Sequence, residues 1–166
     1  MFIAVHAAVG AVLGSVVDKP LPAFTLGFVS HFFVDMIPHG DENVYHAYKS
    51  GKKVNQAYWY LAFDVMLTVF LTSLFFLKVN FGAPITVLWG VIGSVLPDVI
   101  VGLAELIAQR RRNWFTRVLA KFHGYHWKNH HRLIRRIRKF ERDIPLRYGF
   151  MLQVLTLGIL VEKILR

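Results

Sequence analysis

Ser30-His31-Phe32-Phe33-Val34-Asp35-Met36-Ile37-Pro38-His39-Gly40-Asp41 is the stretch from which the rest of the chain is read. It places a histidine and an aspartate four residues apart in an apolar run, and side chains at that spacing share one face of a helix. Pro38 ends the helix, and Gly40 frees the backbone to fold back, so His39 and Asp41 follow within reach of the same point. Isolated in an apolar helix, such groups cost several kcal/mol each unless partnered. A bound cation or a proton relay is the economical explanation.

The surroundings of this stretch are those of a membrane protein. Of 166 residues, 55% are hydrophobic and 14% aromatic, too apolar for an ordinary soluble domain and about the length of one compact domain. The reading is therefore all-α: a single helical membrane domain over residues 1–166, of about five apolar helices and a basic amphipathic interfacial helix. The chain has no cysteine, which excludes disulfides and thiolate metal sites and leaves imidazole and carboxylate as the strong ligands. Residues from Phe2 onward lack a basic leader and include His6, so they read as a retained helix rather than a signal peptide.

Outward from the motif, the apolar segments are Phe2 to Val17, Leu21 to Ile37, Ala57 to Leu77, Ala83 to Ala108 and Pro145 to Leu165. The first is short for a span. Asp18-Lys19-Pro20-Leu21-Pro22 turns the chain after it, and residues 39–56 form a polar loop with Lys49, Lys52 and Lys53. Pro97 lies inside the fourth segment; a kink or break is expected at Leu96-Pro97, with Asp98 capping a new helix start. Residues 109–143 carry twelve of the twenty Lys and Arg residues, threaded with Phe115, Val118, Leu119, Phe122, Ile134, Ile137 and Phe140. This pattern fits one or two amphipathic helices on the cytoplasmic membrane surface, interrupted at Gly124 and gripping anionic headgroups.

With that block cytoplasmic and five passes, the 39–56 loop is cytoplasmic as well. At about 1.5 Å per residue, His6, His31, Asp35 and Asp64 then fall in one layer of the cytoplasmic leaflet, and Asp98 leaves the membrane on the same side. Small residues sit four apart on these faces: Gly10 and Gly14 after His6, Gly27 before His31, Gly90 and Ser94 before Asp98. They let helices approach closely, so the polar stripes are expected to face one another.

Each candidate has a plainer reading. His31 and Asp35 could form a buried hydrogen-bonded pair that fixes packing, and His39 and Asp41 could be hydrated loop residues. Within Phe122-His123-Gly124-Tyr125-His126-Trp127-Lys128-Asn129-His130-His131, His123 and His126 are the ones expected to reach the site, and His130 and His131 read as solvated. Glu105 reads as an interfacial charge and Glu162 as a surface anchor.

His6-Ala7-Ala8-Val9-Gly10, Gly27 to Met36, Leu96-Pro97-Asp98 and the histidines after Lys121 resemble the motifs of a small bacterial inner-membrane family of predicted metal-dependent hydrolases, one group of which is described as LexA-regulated. The motif order is rearranged here, with Ser-His-x-x-x-Asp before Leu-Pro-Asp, and Ile100 stands where the family has a second aspartate. The resemblance implies a helical membrane fold, an inner-membrane location and a metal site built from these motifs.

The expected function is a membrane-embedded hydrolase. His6, His31, Asp35, Asp64, Asp98, His123 and His126 are the expected metal ligands, and Asp98, His39 and Asp41 the expected catalytic groups. The metal is a divalent cation, with zinc first and manganese or iron next. A group outside the ligand set acts as general base toward water. The site faces the cytoplasmic leaflet, so the expected partners are membrane lipid and a small amphipathic substrate such as a lipid phosphoester. The alternative is a metal-ion or proton transporter using the same side chains; a path through both leaflets would need polar residues in the outer halves of the second and third segments, where His, Asp and Glu are absent. A scaffold binding a partner or nucleic acid through Trp114, Tyr125 and Trp127 is disfavoured, because a membrane-surface role accounts for the same residues.

Overall fold

Helix α1 (Ile3–Ser15) has four alanines and two glycines among its thirteen residues, and its small girth decides the packing. A narrow helix can be surrounded, and α1 is: it lies against α2 (Pro20–Val34), α4 (Val54–Lys78), α5 (Pro84–Ile107) and α7 (Leu146–Leu165). The computed structural model describes residues 1–78, 83–107, 113–130, 132, 136 and 144–165; all seven helices among them, including α3 (Glu42–Lys49) and α6 (Trp114–His130), are α-helical.

Close approach of α5 to α1 and α2 rests on missing side chains. A Cβ at Gly10 or at Gly27 would land on the Gly90 carbonyl, and one at Gly90 on the carbonyl of Gly10. Backbones in contact at this distance gain dispersion that bulkier interfaces forgo. Around this seam Phe2, Val5, Ala8, Ala11, Phe75 and Val87 form the core.

Val54–Leu77, Pro84–Ile107 and Leu146–Leu165 are long and apolar enough to cross a membrane, about 30 to 36 Å at 1.5 Å per residue. These three helices are candidate membrane spans by length and composition. Helices α1 and α2, with 13 and 15 residues, are apolar but fall short of a bilayer's thickness. Helix α4 turns Leu61, Met66, Val69, Phe70 and Leu77 outward, the kind of apolar face that lipid, not water, covers.

Three local expectations are corrected. Helix α5 does not break at Pro97; it runs through it, and Asp98 is mid-helix rather than a cap. The ring crowds the preceding turn and removes one ladder donor, and the Ser94 carbonyl in that turn accepts the Nδ1–H of His31 at 2.8 Å. Helix α6 likewise continues through Gly124, because one glycine costs a packed helix only about 1 kcal/mol. The 39–56 loop contains α3, bounded by Gly40 and Gly51, both at positive φ (83° and 71°), which glycine adopts without strain. Arg110, Arg111, Arg112 and nearly all of 131–143 lie outside the described residues, and with them the expected headgroup-binding part of the basic segment.

Candidate metal centre

Five of the eight histidines and two aspartates meet where α1, the end of α2, α5 and α6 converge. His6, His31 and Asp98 form one group whose ligand atoms all lie within 4.8 Å of one another; His31, Asp35 and His126 form a second, and Asp35, His39 and His130 a third. His31 and Asp35 each belong to two groups, so the three are one continuous cluster.

Each ligand is placed by local structure. His31 and Asp35 stand one turn apart at the end of α2, as their spacing requires. His39 Nδ1 donates to the Ile37 carbonyl at 2.6 Å, a contact made possible by the turn at Pro38. With Nδ1 protonated on both His31 and His39, each ring presents its Nε2 lone pair to the cluster; a backbone carbonyl fixing the far nitrogen is how ligating histidines are commonly oriented. His126 and His130, one turn apart on α6, answer them: His31 Nε2 lies 2.9 Å from His126 Nε2, and His39 Nε2 lies 2.7 Å from His130 Nε2. Asn129 secures α6 by donating to the Phe32 carbonyl at 2.8 Å.

The carboxylates run between the imidazoles. Asp35 sets Oδ2 3.3 Å from His126 Nε2, and Oδ1 3.9 Å from His39 Nε2 and 3.6 Å from His6 Nε2. Asp98 Oδ1 is 3.7 Å from His31 Nε2 and 3.6 Å from His126 Nε2. Asp41 reaches His39 Nε2 at 3.0 Å and His130 Nε2 at 3.4 Å. The α-amino group of Met1 lies 2.9 Å from Asp35 Oδ1 and 2.6 Å from His39 Nε2. Burial would lower its pKa, but Asp35, Asp41 and Asp98 outweigh that and hold it at about 11. Burial pushes the His130 imidazole down to about 3 against the attraction of Asp41, so at neutral pH the ring is uncharged.

What this arrangement leaves unmet is as informative. Both ring nitrogens of His6, Asp35 Oδ2 and Asp98 Oδ2 are buried without a hydrogen-bond partner. Buried polar atoms are nearly always satisfied, and four orphaned atoms on three residues of one imidazole and carboxylate cluster fit a group that could hold a metal ion.

Two expected ligands are used elsewhere. Asp64 accepts from the backbone N–H of Ile3 at 2.7 Å and of Ala4 at 3.1 Å, capping the start of α1 from a neighbouring helix. His123 sits one turn before His126 but faces Glu105, 3.2 Å from its Oε1; Tyr45 donates to the same oxygen at 3.0 Å and Lys49 pairs with Oε2. Glu105 is therefore a tie between α3, α5 and α6, not a solitary interfacial charge. His130, expected to be solvated, is buried against His39; its spacing of four from His126, the same as His31 to Asp35, is the signal that would have found it. His131 lies outside the described residues. Gln153, also unforeseen, accepts from Phe2 N at 2.5 Å and donates to the His39 carbonyl at 3.2 Å, tying α7 to the site. Compared with family models, with curated proteins and with solved structures, the chain matches none of them.

Proposed function

We propose that the chain is a membrane-embedded metal-dependent hydrolase. The observation that carries this reading is the orphaned set, His6, Asp35 and Asp98, in contact with two histidines whose tautomers are fixed by backbone carbonyls. His31, Asp35 and His126, joined by His6 and Asp98, would hold the ion. A divalent cation there supplies Lewis acidity and lowers the pKa of water.

The remaining steps belong to the chain's own residues. Asp98 is about one-fifth exposed and Asp41 about one-third, whereas Asp35 and His31 are fully enclosed. Substrate would therefore meet the cluster from the side of Asp98 and Asp41, and Asp41, outside that ligand set, would take the proton from the attacking water. The apolar outer faces of the bundle bring the site to membrane lipid, which favours an amphipathic substrate such as a lipid phosphoester. The cytoplasmic leaflet of a bacterial inner membrane is the proposed location, by the resemblance of the motifs and the basic block. Zinc, then manganese or iron, is the proposed ion.

The test is elemental analysis of detergent-purified protein, with chelator-sensitive hydrolysis assayed on phosphoester and carboxylester lipids in parallel. Near-stoichiometric metal with hydrolysis of either supports the reading. Protein that carries no metal and cannot be reloaded with zinc, manganese or iron overturns it, and metal uptake into proteoliposomes without hydrolysis would replace it with transport.

A further inference from the structure

His31, Asp35 and His39 follow one another at intervals of four residues, and His126 and His130 repeat that interval on α6. His31 meets His126, and His39, brought back by the turn at Pro38, meets His130 one interval further along α6, so the two strips make two rungs of paired imidazoles. Asp35 sits between the rungs, its Oδ2 3.3 Å from His126 Nε2 and its Oδ1 3.9 Å from His39 Nε2 and 3.6 Å from His6 Nε2. A carboxylate within reach of imidazoles from both rungs is arranged as a bridge, and paired ions in hydrolytic sites stand about 3.5–4 Å apart.

We infer that the cluster holds two divalent cations rather than one, the second on His39 and His130, with Asp35 shared between both and Asp41 beside it on the open side. This rests on the metal-centre reading and extends it. The second position has its own ligand set, drawn from the turn after α2 and the last turn of α6. His39 and His130 are buried, the His39 tautomer is set by Ile37, and Asp41 lies within 3.4 Å of both imidazoles. The α-amino group of Met1 lies against Asp35 and His39 in the same rung, so this half of the cluster already accommodates a cationic group; a metal ion entering there takes over those two contacts.

The experiment is metal counting on full-length detergent-purified protein, dialysed against zinc or manganese and freed of excess. Wild type should carry two equivalents, His126→Ala and His130→Ala about one each, and Asp35→Ala fewer than one. Manganese-loaded wild type should give the electron paramagnetic resonance signature of a spin-coupled pair, and His130→Ala the six-line spectrum of an isolated ion. His130→Asn, with thermal melting as a control, covers the case in which the alanine variant misfolds, and the wild-type spectrum needs no variant at all. Wild type that saturates at one equivalent with a six-line spectrum overturns the second site and leaves the metal-centre reading standing. Two equivalents undiminished in both His130 variants would overturn it as well. Wild type that binds none defeats both readings.

Discussion

Asp64 and Asp35 are both carboxylates buried in helical, apolar surroundings, and they solve the same problem in opposite ways. Asp64 gives one oxygen to Ile3 N–H and the other to Ala4 N–H; its charge is spent on the open end of α1, where a helix presents unpaired donors and a partial positive charge. Asp35 leaves Oδ2 without a hydrogen-bond partner and crowds against histidines and an amine. The first is a structural joint. The second leaves a buried acceptor unmet at some cost to stability, the pattern expected of a functional rather than an architectural buried ionisable group.

The largest effect that could break this contrast is on metal content. Asp35→Ala should lower bound metal to well under one equivalent and His31→Ala should remove the ion it shares with His126, whereas Asp64→Asn should keep the wild-type content; loss of metal in Asp64→Asn protein that still melts cooperatively would merge the two regions. Next comes stability. Asp64→Ala strands two backbone donors at the start of α1 and should cost about 2–4 kcal/mol, read as a lowered melting temperature that chelator does not change. A chelator should destabilise wild type but not Asp35→Ala, since an ion that binds only the folded chain stabilises it by mass action.

Acid sharpens the contrast further. The His130 imidazole is held neutral in the fold down to about 3, against an ordinary value of 6.5. The unfolded chain therefore takes up the proton first, and stability of the metal-free protein should fall as pH drops below about 6.5, continuing until about 3. Melting temperatures of wild type and His130→Gln across that range check it: the variant should show the shallower slope. The smallest expected effect lies away from both regions. A Cβ on Gly124 meets nothing, so Gly124→Ala should stabilise α6 by about 0.5–1 kcal/mol and leave metal content unchanged.

The two regions also differ in how readily they are read from sequence. His31 with Asp35 could be placed from spacing alone, because both lie on one helix whose period fixes their relation. His6 and Asp98 were legible through the glycines that share their faces. Asp64 looked the same as these in one dimension; its engagement with α1 depends on which helix end lies beside it, a tertiary fact with no local signature. His130 was hidden among basic and aromatic neighbours whose composition suggests a wet surface, although its periodicity with His126 pointed inward. The continuity of α5 through Pro97 has no local signature, because proline's penalty is met by the packing of α5 against α1 and α2.

The central position of α1 reaches beyond the finished molecule to the order in which it is made. This helix is synthesised before every neighbour that encloses it, and its first turn is tied to Asp64 and to Gln153, separated from it by 61 and 151 residues. Until α7 emerges, the Phe2 amide has no Gln153 to meet and the ring of helices around α1 stays open. Closure of the bundle therefore waits on α7: this helix reaches the start of α1 only after the helices between them have been made, and contacts of such sequence separation form late.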